Sequence, residues 1–297
     1  SQIPTFLVSQ LARSEVTVSL SGDGGDELFG GYNRYILTDR LWKGLSPFPS
    51  AWRSRVGAWL GRLSPEAWNR LLARVEGCVP RSLRLSNWGD KIHKGAKVLD
   101  CGSMEEIYLR LISHWENPTA VVVGATEPPP FVGTTPPAFA GLSGVEKMMA
   151  WDALTYLPDD ILTKVDRAAM AVSLETRIPF LDPQVVEFAW RLPLAMKMRK
   201  GRGKRILRLL LERHVPASLV ERPKMGFSAP ISEWLRGPLR TWAEDLLQEE
   251  SIRRAGFLRP EPIRNLWKEH LQGQRNWQTP LWNVLMFQGW LGSVGRN

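Results

Sequence analysis

Two cysteines and four histidines in 297 residues leave little material for a disulfide framework or a zinc centre. Cys78 and Cys101 lack zinc-ligand spacing, and so few thiols fit a reducing compartment; the expected location is cytoplasmic. No apolar run approaches the roughly 18 residues that span a bilayer, so no membrane partner is expected. The opening Ser1-Gln2-Ile3-Pro4 has neither the basic region nor the apolar core of a secretory signal. It also lacks an initiating Met, so a processed chain or a fragment of a longer one is expected. No Walker A spacing and no internal repeat occur. Acids are in deficit, 30 against 39 Lys and Arg, for a net charge of +9. The excess is local: residues 197–224 hold ten basic side chains and two acids, Glu212 and Glu221. Such a concentration implies an anionic partner, with a solvated helix face as the plainer alternative. Aromatics are scarce in that segment, which disfavours nucleic acid.

What is present reads as a globular protein, with 43% hydrophobic and 23% charged residues and a length that allows one large domain or two ordinary ones. Ile3, Phe6, Leu7 and Leu11 have helical spacing and lead into an alternating strand at 16–20. The only other β-like run is 120–123. From Tyr35 to about Trp115 the pattern is helical. Trp52, Val56, Trp59, Leu60 and Leu63 form one stripe, with the tryptophans read as packing residues. Ser64-Pro65 restarts a helix whose stripe is Trp68, Leu71, Leu72 and Val75, and Ser103 with Glu106 forms a capping box. Residues 117–144 are too rich in proline for a helix or a central strand and read as a long loop or linker, open to being mobile. Helices follow over 148–157 and from a cap at Asp159 or Asp160. Lys200-Gly201-Arg202-Gly203-Lys204 opens another, with Ile206, Leu207, Leu210 and Leu211 on its buried face; such an end suits a phosphate. Lys224 sits in a loop held between Pro223 and Pro230, and helices run from there to the end. The expected organisation is 1–116, a linker at 117–144, and a helical 145–297.

The stretch after the first strand carries the chemistry. Ser21-Gly22-Asp23-Gly24-Gly25-Asp26-Glu27 cannot continue a strand. Its glycines permit tight turns and close backbone approach, and its free amides can meet an anion. Three acids in five residues would repel a bare phosphate, a conflict that a divalent cation between carboxylate and phosphate removes. The loop also follows a strand, where open α/β sheets place their ligands. The bland alternative is a connector whose acids face water.

Four blocks, in order, resemble the synthetase domain of glutamine-dependent asparagine synthetases. They are Leu20–Tyr32 (Leu-Ser-Gly-Asp-Gly-Gly-Asp-Glu-Leu-Phe-Gly-Gly-Tyr), Leu157–Asp182, Gly203–Leu211 and Arg222–Leu235. The resemblance implies an α/β fold of the adenine-nucleotide α-hydrolase type, of which this segment is the predominantly helical part with one or two strands. It implies ATP and Mg2+ as cofactors, with aspartate and ammonia from glutamine as substrates. Aspartate's side-chain carboxylate is adenylated to β-aspartyl-AMP, and ammonia then displaces AMP to give asparagine.

Carried over residue by residue, Ser21, Gly22, Gly24 and Gly25 belong to the ATP and pyrophosphate contacts and Asp26 to the metal. Asp23 takes the place of an acid, often glutamate, that governs the adenylate step, and is one methylene shorter. Lys224 takes the place of the lysine that stabilises both transition states. Asp166, Glu175 and Arg177 match family positions and are read either as ion-pair scaffold or as substrate contacts. The family's phosphate loop, Ser-Gly-Gly-x-Asp-Ser, and its glutaminase domain have no counterpart in these residues. The missing regions are therefore expected partners, and activity of this chain alone is not expected; a homodimer is left open. Competing readings are a relative acting on another carboxylate, such as a β-lactam synthetase or an amidating enzyme for surface sugars, a non-catalytic anion- or nucleic-acid-binding module, and a degenerate fragment. β-Lactam synthetases typically carry tyrosine at the position of Asp23, so the acid here favours ammonia chemistry.

Overall fold

The computed structural model describes residues 2–63, 65–73, 88–134, 136–220 and 229–294. The expected cap at Ser64, the stripe residue Val75, Cys78 and residues 221–228 of the loop around Lys224 lie outside them. The chain divides into two compact units. The first comprises Ser1–Gly44, Ser103–Leu109 and Pro130–Ala229; the second comprises Leu45–Gly102, Arg110–Pro129 and Pro230–Asn297.

In the first unit, helix α1 (Gln2–Arg13) leads to strand β1 (Val18–Leu20). The partner of β1 is not the run at 120–123, which makes only a bridge from Val122 to Leu258. It is β2 (Glu175–Arg177), the extended piece before Pro179, and the two strands run parallel with Ser19 opposite Thr176. Three β-branched residues in a row could not reveal this pairing, because a parallel partner must come from beyond a crossover. α1 packs on α9 (Thr163–Met170). It buries Ser9 and leaves Leu7 and Leu11 exposed.

After β1 come α2 (Gly25–Phe29) and α3 (Asn33–Leu45). Leu28 and Phe29 of α2 are the apolar wedge of a cluster with Ala189, Phe180, Trp190, Ile206 and Leu207. Phe180 comes from the short turn Pro179–Leu181, and the others from α10 (Pro183–Arg191) and α12 (Arg205–Leu211), with α11 (Leu194–Lys197) between them and α13 (Ala217–Val220) after. Leu210 and Leu211 were expected on the buried face of α12 but are exposed. With seven residues, α12 presents less than two turns to α2, and Ile206 and Leu207 fill that contact.

Helix α8 (Gly144–Leu154) begins earlier than the sequence suggested, at a full capping box between Ser143 and Glu146. Asp159 and Asp160 do not cap a new helix. They lie in a π-helical turn, Leu157–Leu162, that runs straight into α9. Helix α7 (Met104–Ile112) starts at Ser103, whose hydroxyl accepts the Glu106 amide at 3.2 Å as expected.

The second unit holds α4 (Ser50–Gly61), α5 (Pro65–Ala73) and α6 (Trp88–Leu99). Here the tryptophan stripe misleads, since Trp52 and Trp59 are exposed while Arg53 and Gly57 face inward. The Arg53 guanidinium donates to the carbonyls of Leu99 and Cys101, acceptors left over where α6 ends, and to that of Phe48 in the turn before α4. Gly57 lets α4 approach so closely that a Cβ there would lie 2.8 Å from the Ala96 carbonyl oxygen.

The remaining helices are α14 (Ile231–Arg236), α15 (Arg240–Leu247), α16 (Glu249–Ala255), α17 (Pro260–Leu271) and α18 (Gln278–Val294). They enclose a core of Leu235, Ala243, Leu247, Ile252, Ile263, Trp267, Leu281, Val284 and Leu285. Val121 joins that core, and Phe139 is buried in the first unit, so the proline-rich stretch contributes to packing at both of its ends.

Candidate active site

The loop after β1 is tethered at its entry. The Ser21 amide donates to the Arg177 carbonyl at 2.8 Å, so the strand pair fixes where the loop leaves the sheet. The Ser21 hydroxyl donates to the Asp23 carboxylate, and the Asp23 amide reaches back to Ser21 Oγ at 3.4 Å. This local closure turns Asp23 back along the loop. Gly24 then adopts φ 79°, and a Cβ there would meet Leu181 Cδ2 at 2.8 Å. The turn therefore requires glycine twice over, for its backbone angle and for its space. A Cβ at Gly22, by contrast, would meet nothing within 4 Å.

Helix α2 ends at Gly30 (φ 65°), and the Gly31 amide donates to the Asp26 carbonyl at 2.8 Å. A second chain segment crosses here. Asp26 Oδ2 lies 3.0 Å from the Nζ of Lys204, and both side chains are about one-third exposed, at 32% and 30%. Lys204 is left-handed (φ 55°), and its amide donates to the Phe29 carbonyl at 2.9 Å. A Cβ at Gly31 would fall onto Asp26 Oδ1 and Lys204 Cε, and one at Gly203 onto the Gly30 carbonyl oxygen. The two glycines are what allow the backbones to touch and the ion pair to form. Just before, Arg199 and Arg202 exchange backbone hydrogen bonds of 2.9 and 3.0 Å around a left-handed Lys200-Gly201 tip. Arg199, Lys200 and Arg202 are thereby displayed on an exposed hairpin.

Behind α2 lies a buried polar assembly. Glu27 is 1% exposed and accepts the Tyr32 hydroxyl at 2.6 Å. Burial pushes its carboxyl above the usual range, an effect that the Tyr32 hydrogen bond offsets only in part. The Arg34 guanidinium sits 3.9 Å from the Tyr32 ring centroid and 4.7 Å from that of Tyr156. It donates to Asp152 Oδ2 at 2.7 Å and, through Nε, to the Tyr108 hydroxyl at 3.2 Å. Asp152 also accepts the Tyr35 hydroxyl at 2.5 Å and the Tyr108 hydroxyl at 2.6 Å. All four tyrosines of the chain thus gather around one arginine. Burial, then the Asp152 charge, push the Tyr35 and Tyr108 phenols up; burial is the largest single influence on Arg34 and works against its charge, but Asp152 and the Tyr108 and Tyr35 hydroxyls together outweigh it.

The asparagine synthase family model matches residues 1–292. The chain belongs to the asparagine synthase family. It is 31% identical over 291 residues to asparagine synthetase [glutamine-hydrolyzing] 1 of Bacillus subtilis (strain 168), covering 97% of this chain and 42% of that protein. It is 34% identical over 294 residues to a putative asparagine synthetase [glutamine-hydrolyzing] of Mycobacterium tuberculosis (strain ATCC 25618 / H37Rv), with 97% and 41% coverage. A shorter stretch of 111 residues is 29% identical to "Amidase chry2" of Gibberella zeae, covering 35% of this chain and 16% of that protein. The chain spans about two fifths of the length of its full-span relatives. The fold of the asparagine synthase family is of the α/β ATP-pyrophosphatase type, and this chain is a mostly helical member with few strands.

Within this asparagine synthase segment, Ser21, Gly22, Asp23, Gly24, Gly25 and Asp26 occupy one loop and helix start, tied to β2 through Arg177. Lys224 lies outside the described residues. Glu175 and Arg177 pair at 2.8 Å, and Asp166 pairs with Arg167 at 3.5 Å; all four side chains are more than half exposed. The Glu175–Arg177 pair faces solvent because β2 turns these alternate residues outward. The Gly-Lys setting of Lys204 points to a phosphate contact, and nothing in the local sequence points to Asp26 as its partner. Glu27, read with Asp23 and Asp26 as one of three acids facing a cation, turns into the protein instead and meets Tyr32; Arg34 and Asp152 carry no local signal, since they are 118 residues apart.

A magnesium ion asks for six oxygen ligands in near-octahedral array. Among the described residues no group of three or more His, Cys, Asp or Glu is arranged to hold a metal. Asp26 offers a single carboxylate, already in contact with Lys204. These residues do not build a magnesium site by themselves, and no chemical step is assigned to the ion.

Proposed function

We propose that this chain is the loop-bearing, helical part of an ATP-dependent amidoligase of the asparagine synthetase (glutamine-hydrolysing) type. In this reading, a carboxylate oxygen of aspartate attacks the α-phosphorus of ATP, the bond to the bridging oxygen breaks, and pyrophosphate leaves. Ammonia then attacks the acyl carbon of β-aspartyl-AMP, the C–O bond to AMP breaks, and the new amide loses a proton. Asp23 accepts that proton. Ser21, Gly22, Gly24 and Gly25 face the nucleotide phosphates, and Lys204 and Lys224 offset their charge. Asp26 is the carboxylate open to a nucleotide-bound cation, and Asp166, Glu175 and Arg177 hold the rim. The carrying observation is the Asp26–Lys204 pair, set by Gly31 and Gly203 at the end of a parallel strand.

The remainder of the site is proposed to come from polypeptide beyond these residues. β1 and β2 form a two-stranded sheet among the described residues, yet parallel sheets have both faces covered. Val16, Val18 and Leu20 are exposed on one face of β1, and an open groove of about 450 Å³ is lined by Arg13, Ser14, Glu15, Val16, Thr17 and Val18. No helix of the described residues is long and apolar enough to cross a membrane. A cytoplasmic location is proposed on the family and on the low cysteine content.

The test is aspartate-dependent release of pyrophosphate from ATP. The chain is assayed alone and joined to the remaining part of the Bacillus subtilis relative. No release alone and release from the joined protein are expected, and Lys224→Ala should abolish the latter. Release by the chain alone, or full turnover in Lys224→Ala, would overturn the reading. In a second reading the same chemistry adenylates another carboxylate. A panel of carboxylates in ATP–pyrophosphate exchange separates the two.

A further inference from the structure

Glu27 is next to Asp26 in sequence but has no part in the reaction proposed above. Its carboxyl points the other way, into the protein, where an acid is expensive to keep. We propose that Glu27 is a positioning residue that holds the Asp26–Lys204 pair in register by anchoring α2 through Tyr32. This proposal rests on the reading that Asp26 and Lys204 face the nucleotide.

The reason lies in how little else orients α2. The helix has five residues, a left-handed Gly24 before it with no side-chain cap, and a left-handed Gly30 after it. A helix that short has no stability of its own, so its direction and its roll are set by what pins it. Leu28 and Phe29 pin one side in the apolar cluster. Apolar contacts resist withdrawal but are tolerant of roll, because they lack direction. Two directional contacts remain: the Lys204 amide on the Phe29 carbonyl at 2.9 Å, which joins the two backbones at the end of α2, and Glu27 to Tyr32 at 2.6 Å, which ties a side chain of α2 to the interior and so resists roll. The latter closes a loop through Gly30 and Gly31, the two residues against which Gly203 and Lys204 rest.

Neighbouring residues of a helix are separated by roughly 100° of rotation. Any roll that carries Glu27 away from Tyr32 therefore swings Asp26 away from Lys204. Tyr32 is itself immobilised. Its ring meets those of Tyr35 and Tyr156 edge-on at 5.7 and 5.9 Å, and Arg34 covers it at 3.9 Å. Arg34 is held by Asp152 on α8, at 2.7 Å. The anchor therefore runs from the buried helix α8 through Arg34 and Tyr32 to Glu27, and ends at the pair.

The test reads the pair directly and uses no ATP. The 297-residue chain is exposed to trace acetic anhydride, and acetylation of Lys204 is followed by peptide mass spectrometry, with thermal melting in parallel. An amine held against a carboxylate is acylated more slowly than a released one. Asp26→Asn sets the released rate. Glu27→Ala and Tyr32→Phe are expected to raise Lys204 labelling by about tenfold, the worth of one charge-assisted hydrogen bond. Glu27→Gln, whose amide oxygen still accepts from Tyr32, should remain within about twofold of the parent chain. Tyr32→Phe keeps the ring under Arg34, and so decides the matter even where Glu27→Ala fails to fold. Unchanged labelling in Tyr32→Phe, with Asp26→Asn raised, would overturn the proposal even if melting temperature fell, since that pattern marks a purely structural role. No rise in Asp26→Asn would overturn it as well, because the pair would then be absent in solution. Absence of aspartate-dependent turnover would strike the reaction reading and leave these labelling rates standing.

Discussion

At Gly31 and Gly203 there is no room for a methyl group. A Cβ at the first would occupy the place of Asp26 Oδ1 and Lys204 Cε, and at the second that of the Gly30 carbonyl oxygen. Gly203→Ala should therefore cost about 1–3 kcal/mol of stability, the usual range for overpacking, measured by urea denaturation. A change below about 0.5 kcal/mol, as at ordinary surface sites, would mean that the two segments do not meet so closely. A second residue-scale expectation concerns pH. His270 is fully buried, accepts the Trp277 amide on Nδ1 at 3.1 Å, and stacks on Trp267. Burial and the nearby Arg236 hold its pKa below the ordinary 6.5. A depressed pKa means that the unfolded chain binds the proton first, so stability is whole above the ordinary value and declines as pH falls toward the folded one. Melting temperature should thus drop between about pH 7.5 and pH 5.5, and His270→Gln should flatten that slope; an equal slope in both proteins would remove His270 as its source. Neither position is conspicuous in the sequence. Gly203 has the look of a helix-start glycine, and His270 that of a surface residue in a charged helix.

For the elements, the need to pair backbone carbonyls proved a better guide to environment than side-chain polarity or size. The stripe Trp52, Trp59 and Leu63 suggested the inner face of α4, yet Arg53 and Gly57 lie inside. The cause is backbone hydrogen bonding. The end of α6 leaves carbonyl groups that must be met, and Arg53 brings several donors to Leu99, Cys101 and Phe48 at once. Arg53→Met, similar in bulk but without donors, should destabilise the chain by about 2–4 kcal/mol through these unpaired acceptors. Calorimetry would check this, and a loss smaller than that of Trp52→Ala would return the helix to its tryptophan face. Helix capping was partly readable, at Ser103 and Glu106, whereas the same code at Ser143 and Glu146 was hidden within the proline-rich stretch. Asp159 and Asp160 carried a capping signature too. The π turn overrode it by keeping the chain helical through Pro158, which sits at its first positions where no amide partner is needed.

At the scale of the molecule, two units are each built from three separated stretches of chain, a feature no local pattern encodes. The two-stranded parallel sheet leaves Val16, Val18 and Leu20 in contact with solvent. An uncovered apolar strand invites association. The chain alone should therefore self-associate at micromolar concentrations in sedimentation velocity, and Val18→Lys should shift it toward monomer. A monomeric parent chain would argue that this face tolerates water as it is. In the joined protein proposed above the same substitution should instead weaken folding, because the face would then be interior.

The linear chain by itself determined the family, the acidic glycine loop and the preponderance of helix. These depend on contiguous residues, since Ser21–Tyr32 is one unbroken run and helical periodicity repeats every few positions. Tertiary structure alone decided that β2 is the partner of β1, that Lys204 meets Asp26, and that Arg34 collects all four tyrosines with Asp152. Each of these joins residues far apart in the chain. Their association depends on which surfaces bury one another and on which buried polar groups find partners, and that is a property of the folded chain rather than of any segment of it.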